Sequence, residues 1–79
     1  MIHDELDVAV VEIKPWGLNV KTGNGQDGFI DNTKNPRWVE GAEGPNVGEE
    51  LHVVVLDDTV VPFRASALTA DIEIARQSK

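Results

Sequence analysis

The 79-residue chain has no cysteine. That excludes a disulfide framework and thiol chemistry, and it accords with a reducing compartment. Basic residues are scarce, seven against fourteen acidic ones, for a formal net charge of −7. A surface of that sign works against nucleic-acid binding driven by counterion release alone. A local basic patch and stacking remain open routes, since stacking carries part of single-strand affinity. Long hydrophobic runs are absent as well. The longest, Val8–Val11 and Val53–Leu56, are four residues each, against about 20 for a membrane-spanning helix. Met1–Asp7 places acidic residues where a signal peptide needs a basic stretch and an apolar run. A soluble, cytoplasmic, monomeric protein is therefore expected.

With no cross-links, a chain this short buries only roughly 60–65 % of its unfolded surface, so its core must be economical, and a closed barrel is one solution. The apolar residues recur mostly with strand periodicity as far as Pro62. Asp7–Ile13 is rich in β-branched residues and ends at Lys14-Pro15, a strand running into a turn. Over residues 16–21, Trp16, Leu18 and Val20 alternate with Gly17, Asn19 and Lys21, which predicts a second strand paired to the first. The turn formers of Thr22–Gly28 precede a short strand, Gly28–Asp31. Residues 32–47 read as a long loop pinned by Trp38. Leu51–Leu56 is the strongest strand, followed by a turn at Asp57-Asp58-Thr59 and a fifth strand near Val60–Ala65. Beyond it the pattern changes: Leu68, Ile72 and Ala75 share a helical face, with Ser66 or Thr69 as cap, predicting a helix over 69–77 that packs on the barrel or extends from it. The expectation is all-β, a five-stranded OB-type Greek-key barrel over residues 1–66, with a C-terminal helix or tail over 67–79.

Three segments make a more particular match: Trp16-Gly17-Leu18-Asn19-Val20, then Gly25-Gln26-Asp27-Gly28-Phe29-Ile30, then Val47-Gly48-Glu49-Glu50 leading into Leu51–Asp57. In order and spacing, residues 7–66 resemble the RNA-binding domain repeated in ribosomal protein S-one. The resemblance implies single-stranded RNA bound on the barrel face, with bases stacked on two aromatics of the second strand. It also implies help from a third-strand histidine and basic residues near the fifth strand. Trp16 matches the first aromatic, but Asn19 stands at the second and Asp31 at the histidine. Arg64 lies near the family's arginine. The candidate RNA contacts are thus Lys14, Trp16, Lys21, Phe29, Arg64 and Trp38, the last with Arg37 beside it in the loop.

Each has a plainer alternative. Trp16 also reads as a ring closing the barrel mouth, Trp38 as an anchor for its loop, and the lysines as solvated strand ends. His3 and His52 lack partners at metal-ligand spacing, and no metal or cofactor is expected. Glu40, Glu43, Glu49 and Glu50 border the loop and would do acid–base or cation chemistry only if they converged in a cleft. Gly23-Asn24-Gly25 is followed by Gln26-Asp27 where a phosphate loop carries lysine. No enzyme is expected. Two readings stand: a weak RNA binder, or a barrel that has lost RNA and meets a basic protein partner, with a nucleic-acid-mimicking inhibitor as a variant of the second.

Overall fold

The computed structural model describes residues 2–41 and 44–77. Five strands, β1 (Glu5–Lys14), β2 (Gly17–Thr22), β3 (Asp27–Asp31), β4 (Glu50–Asp57) and β5 (Phe63–Ser66), close into a barrel in the order β1-β2-β3-β5-β4. The first three form an antiparallel meander. β5 enters between β3 and β4, parallel to β3 and antiparallel to β4, and β4 returns to β1. This is the five-stranded OB topology expected from the sequence.

Alternation places Val8, Val10, Leu18, Val20, Ile30, Val53, Val55, Phe63 and Ala65 in one core cluster. Strand periodicity survives only as far as Val10, because the β1–β2 register shifts between Val10 and Glu12. Val11 is the extra residue of that bulge and is exposed despite its apolar run. Gly48, at φ 90°, turns the chain into β4 and donates its N–H to the Val10 carbonyl at 2.7 Å.

The long connection is not structureless. A 3-10 turn, Asn32–Lys34, is followed by one helical turn, α1 (Pro36–Val39). The Asn35 side chain accepts from the Arg37 N–H at 3.2 Å, and Pro36 occupies the first helical position, the usual chemistry of a helix start. The expected anchor is overturned: Trp38 is 54 % exposed, while Asn35 and Pro45 are buried. A short turn carrying Arg37 and Trp38 outward leaves its cap and the following proline to hold the loop.

The C-terminal helix α2 (Thr69–Gln77) packs against β4, burying Ala75. Val54, which faces away from the core cluster, is also fully buried. Ser66 anchors the helix start: its hydroxyl accepts from the Leu68 N–H at 3.1 Å and donates to Asp71 at 2.7 Å. Thr69, the other capping candidate, is the first helical residue. At the far end Arg76 makes a two-pronged bond to Glu5 of β1, at 2.9 and 2.7 Å. No helix among the described residues is long and apolar enough to cross a membrane.

Candidate functional site

Strand register aligns one row of outward side chains around the barrel: Glu12 on β1, Asn19 on β2, Phe29 on β3, Arg64 on β5 and Asp57 on β4. Its centre is aromatic. Gly17 lies beside Phe29, and a Cβ there would fall closer than 3.0 Å to the ring, so the missing side chain is what lets Phe29 lie flat on the sheet. Arg64 covers the ring from β5, its guanidinium carbon 4.9 Å from the centroid. Phe29 is consequently 7 % exposed. It is no open stacking platform, and the surface displayed at this point is the guanidinium above it.

Trp16 differs from its expected placement. β2 begins at Gly17, so Trp16 sits in the β1–β2 turn, out of the strand's alternation and 61 % exposed. The turn is fixed from the other side, because Asn32 donates its side-chain amide to the Pro15 carbonyl at 2.6 Å and its backbone N–H to the Trp16 carbonyl at 3.3 Å. Lys14 reaches to 6.0 Å from the Trp16 ring. Lys14, Trp16, Phe29, Arg64 and Lys21 therefore share the face formed by the end of β1 with β2, β3 and β5. Trp38 lies on the β3–β4 connection instead, where Arg37 is bonded to Glu49 at 2.8 Å.

Every cation of the face has an acidic neighbour. Lys14 pairs with Glu12 at 3.0 Å, and Lys21 lies 3.8 Å from Asp27. Glu12 is held below the usual carboxylate range by Lys14 and by the Asn19 amide, which donates to it at 2.8 Å. Asp31 is lowered chiefly by the backbone and hydroxyl of Thr33, and Asp57 by the hydroxyl and backbone of Thr59; Arg64 adds to both. The two Asp-x-Thr turns, Asp31-Asn32-Thr33 and Asp57-Asp58-Thr59, thus bring carboxylates to either side of Arg64, and their shared spacing is the signal for them in the sequence.

At the opposite end, the β4–β5 connection overhangs the sheet. Val61 and Pro62 face Val11 and Glu12 across a groove of about 390 Å³ floored by Asn19, Val20, Asp27 and Gly28. Val61 is 92 % exposed; β5 starts later than expected, at Phe63, leaving Val60 and Val61 in the loop. Alternation alone could not separate those two valines from the strand that follows.

His52 lies away from this face, on the β1–β4 seam. Its ring nitrogens contact Asp7 at 2.8 Å and Glu5 at 2.9 Å, and Glu5 first, then Asp7, raises its pKa. Those partners are invisible to sequence spacing because they come from a strand 45 and 47 residues earlier. Of the loop carboxylates, Glu43 lies outside the described residues and Glu49 is paired with Arg37. Among the described residues, no group of three or more His, Asp or Glu side chains is arranged to hold a metal ion.

The molecule is a closed OB-type barrel with an outward face bounded by its β1–β2 turn and its β4–β5 connection. No protein-family model matches the sequence, and no curated protein matches it. Among solved structures the chain is similar to the uncharacterized protein MJ1198 of Methanocaldococcus jannaschii, with a TM-score of 0.72 at 15 % identity, covering 87 % of this chain and 93 % of that one. It is also similar to a chain of the a/eIF2alpha–aDim2p–rRNA complex of Pyrococcus horikoshii, with a TM-score of 0.68 at 14 % identity, covering 99 % of this chain. The similarity spans 51 % of that chain, about half its length. At these identities the likeness is one of fold: it agrees with the OB barrel and does not single out the S-one family.

Proposed function

We propose that this chain is a binding module and not an enzyme, and that its β2–β3–β5 face takes single-stranded RNA with modest affinity. The observation that carries the reading is the stack of Arg64 on Phe29, with the exposed Trp16 at one end of the same face. Phe29 supports the guanidinium plane from beneath and leaves its outer side for a base or a phosphate. Trp16 offers a stacking surface worth about 1–3 kcal/mol per base. The sequence resemblance to the S-one domain supports the same reading, as does a similar chain's occurrence in a complex that contains rRNA. Affinity is modest because Lys14 and Lys21 already have carboxylate neighbours, so phosphates must compete with them.

That same pairing favours a second reading, in which the acidic barrel meets a basic protein partner. Titration of the ¹⁵N-labelled protein with short single-stranded RNAs at low and moderate salt separates the two. RNA binding moves the amides of residues 14–31 and Arg64 together with the Trp16 indole, less so as salt rises. No movement even at low salt overturns the RNA reading and leaves the protein partner.

A further inference from the structure

The groove under the β4–β5 connection is rich in hydrogen-bond acceptors. Its walls, Val11 on one side and Val61 and Pro62 on the other, are apolar. Its polar side chains are Glu12, Asn19 and Asp27. Asn19 gives one amide N–H to Glu12, at 2.8 Å, which leaves its carbonyl oxygen and its second N–H on offer. Glu12 uses one oxygen for Asn19 and the other for Lys14. Asp27 is the least committed: its one ion pair among the described residues is the 3.8 Å approach of Lys21 to one oxygen, and its side chain is 62 % exposed. Among the described residues, the side chains lining the groove therefore present mostly acceptors: two carboxylates and the Asn19 carbonyl against a single amide N–H of Asn19.

Resting on the RNA reading, we infer that this groove is a base-selective subsite that prefers guanine to uracil. The apolar walls suit the faces of a flat ring, and the acceptors suit an edge rich in donors. Guanine carries two adjacent parallel donors, N1–H and the N2 amine, and these match both oxygens of the Asp27 carboxylate as a guanidinium fork does. Uracil presents two carbonyl oxygens around a single N–H, so it can satisfy one Asp27 oxygen and sets a carbonyl against the other. Cytosine and adenine, with one exocyclic amine each, rank between them. The carboxylates that weaken phosphate binding thus acquire a role in choosing the base.

The test compares the pentanucleotides UUUUU, UUGUU and UUIUU, where inosine lacks only the N2 amine, by following the amides of Val11, Asp27, Gly28 and Val61 in the labelled protein. A bidentate pair of this kind discriminates by roughly 5- to 150-fold. UUGUU is expected to bind at least about 5-fold more tightly than UUUUU, with inosine losing most of the gain. Asp27→Asn, at an exposed site that leaves the fold intact, collapses the guanine-to-uracil ratio toward one. If UUUUU and UUGUU bind alike through the Trp16 and Arg64 face, or if Asp27→Asn keeps the full preference, the subsite is refuted while RNA binding stands. If no oligonucleotide moves any resonance, both fall.

Discussion

Replacing Gly17 by alanine tests the close packing that seats Phe29. The new methyl would meet two neighbours closer than 3.0 Å, the Phe29 ring and the backbone carbonyl oxygen of Ile30. A ring can pivot, but the carbonyl belongs to the adjacent strand, and Gly17 is buried in register with Asp31. Relief requires β2 and β3 to part locally. Overpacking of this kind costs about 1–3 kcal/mol, and the backbone contact places Gly17→Ala at the upper end, about 3 kcal/mol. For a domain this small each kcal/mol moves the melting midpoint by roughly 4–8 °C, so a fall on the order of 10–20 °C is expected by thermal circular dichroism. Gly23 is the internal control, because a methyl there meets nothing within 4 Å and its φ is not in the left-handed region. Gly23→Ala should melt within about 3 °C of the parent. If Gly17→Ala melts with the parent, the seat of Phe29 is looser than described and the reasoning fails.

Trp16→Ala should leave the melting midpoint nearly unchanged, as exposed sites shift stability by about 0.5 kcal/mol or less, and weaken RNA binding by roughly 5- to 150-fold, the loss of one stacked base; a large drop in midpoint would show that the ring closes the barrel instead. The salt dependence of RNA affinity should be shallow, because with three cations on the face, Lys14, Lys21 and Arg64, and about 0.7 per phosphate contact on a single strand, the log–log slope is no steeper than about −2; a slope beyond about −3 would place the contacts elsewhere. The Glu5–His52–Arg76 network should give stability a mildly acidic maximum. Arg76, then His52, hold Glu5 at about 2 against an ordinary 4.5, so its contribution is present above 4.5 and lost as pH falls through about 2. His52 is raised above 6.5, so its contribution is full below 6.5 and lost as pH climbs through the raised value. Melting midpoints of the parent and His52→Gln against pH check this: the alkaline decline should flatten in the variant, and equal declines in both would remove His52 as the cause.

The barrel was legible because its strands carry their own period. Leu18 and Val20, or Val53 and Val55, point to the core by alternation, and glycine and proline clusters mark the ends. What escaped the sequence depends on contacts between distant residues. The bulge at Val11 breaks the phase of an otherwise uniform apolar run, and nothing local in that run announces it. Trp16 reads as inward by counting back from Leu18, yet the turn held by Asn32 takes it out of the strand. The helical turn at Pro36 was available from Asn35-Pro36, a cap followed by a favoured first residue. At the candidate site, Trp16 and Arg64 could be proposed from the resemblance. The stacking of Arg64 on Phe29 could not, because it follows from the parallel pairing of strands 35 residues apart.

That parallel seam has a consequence for the order of events in folding. β1, β2 and β3 are joined by short turns and can pair as soon as they meet, whereas β5 must find β3 across the long connection and β4. Non-local closure of this kind sets the pace of folding for barrels. The candidate face is complete only once this seam closes, since Arg64 reaches Phe29 through three register pairs, Gly28 with Phe63, Phe29 with Arg64, and Ile30 with Ala65. An opening fluctuation there would dismantle the face while leaving the meander paired. A ligand lying across β3 and β5 would act as a clasp on the barrel, and its affinity would be felt as slower amide exchange on both sides of the seam.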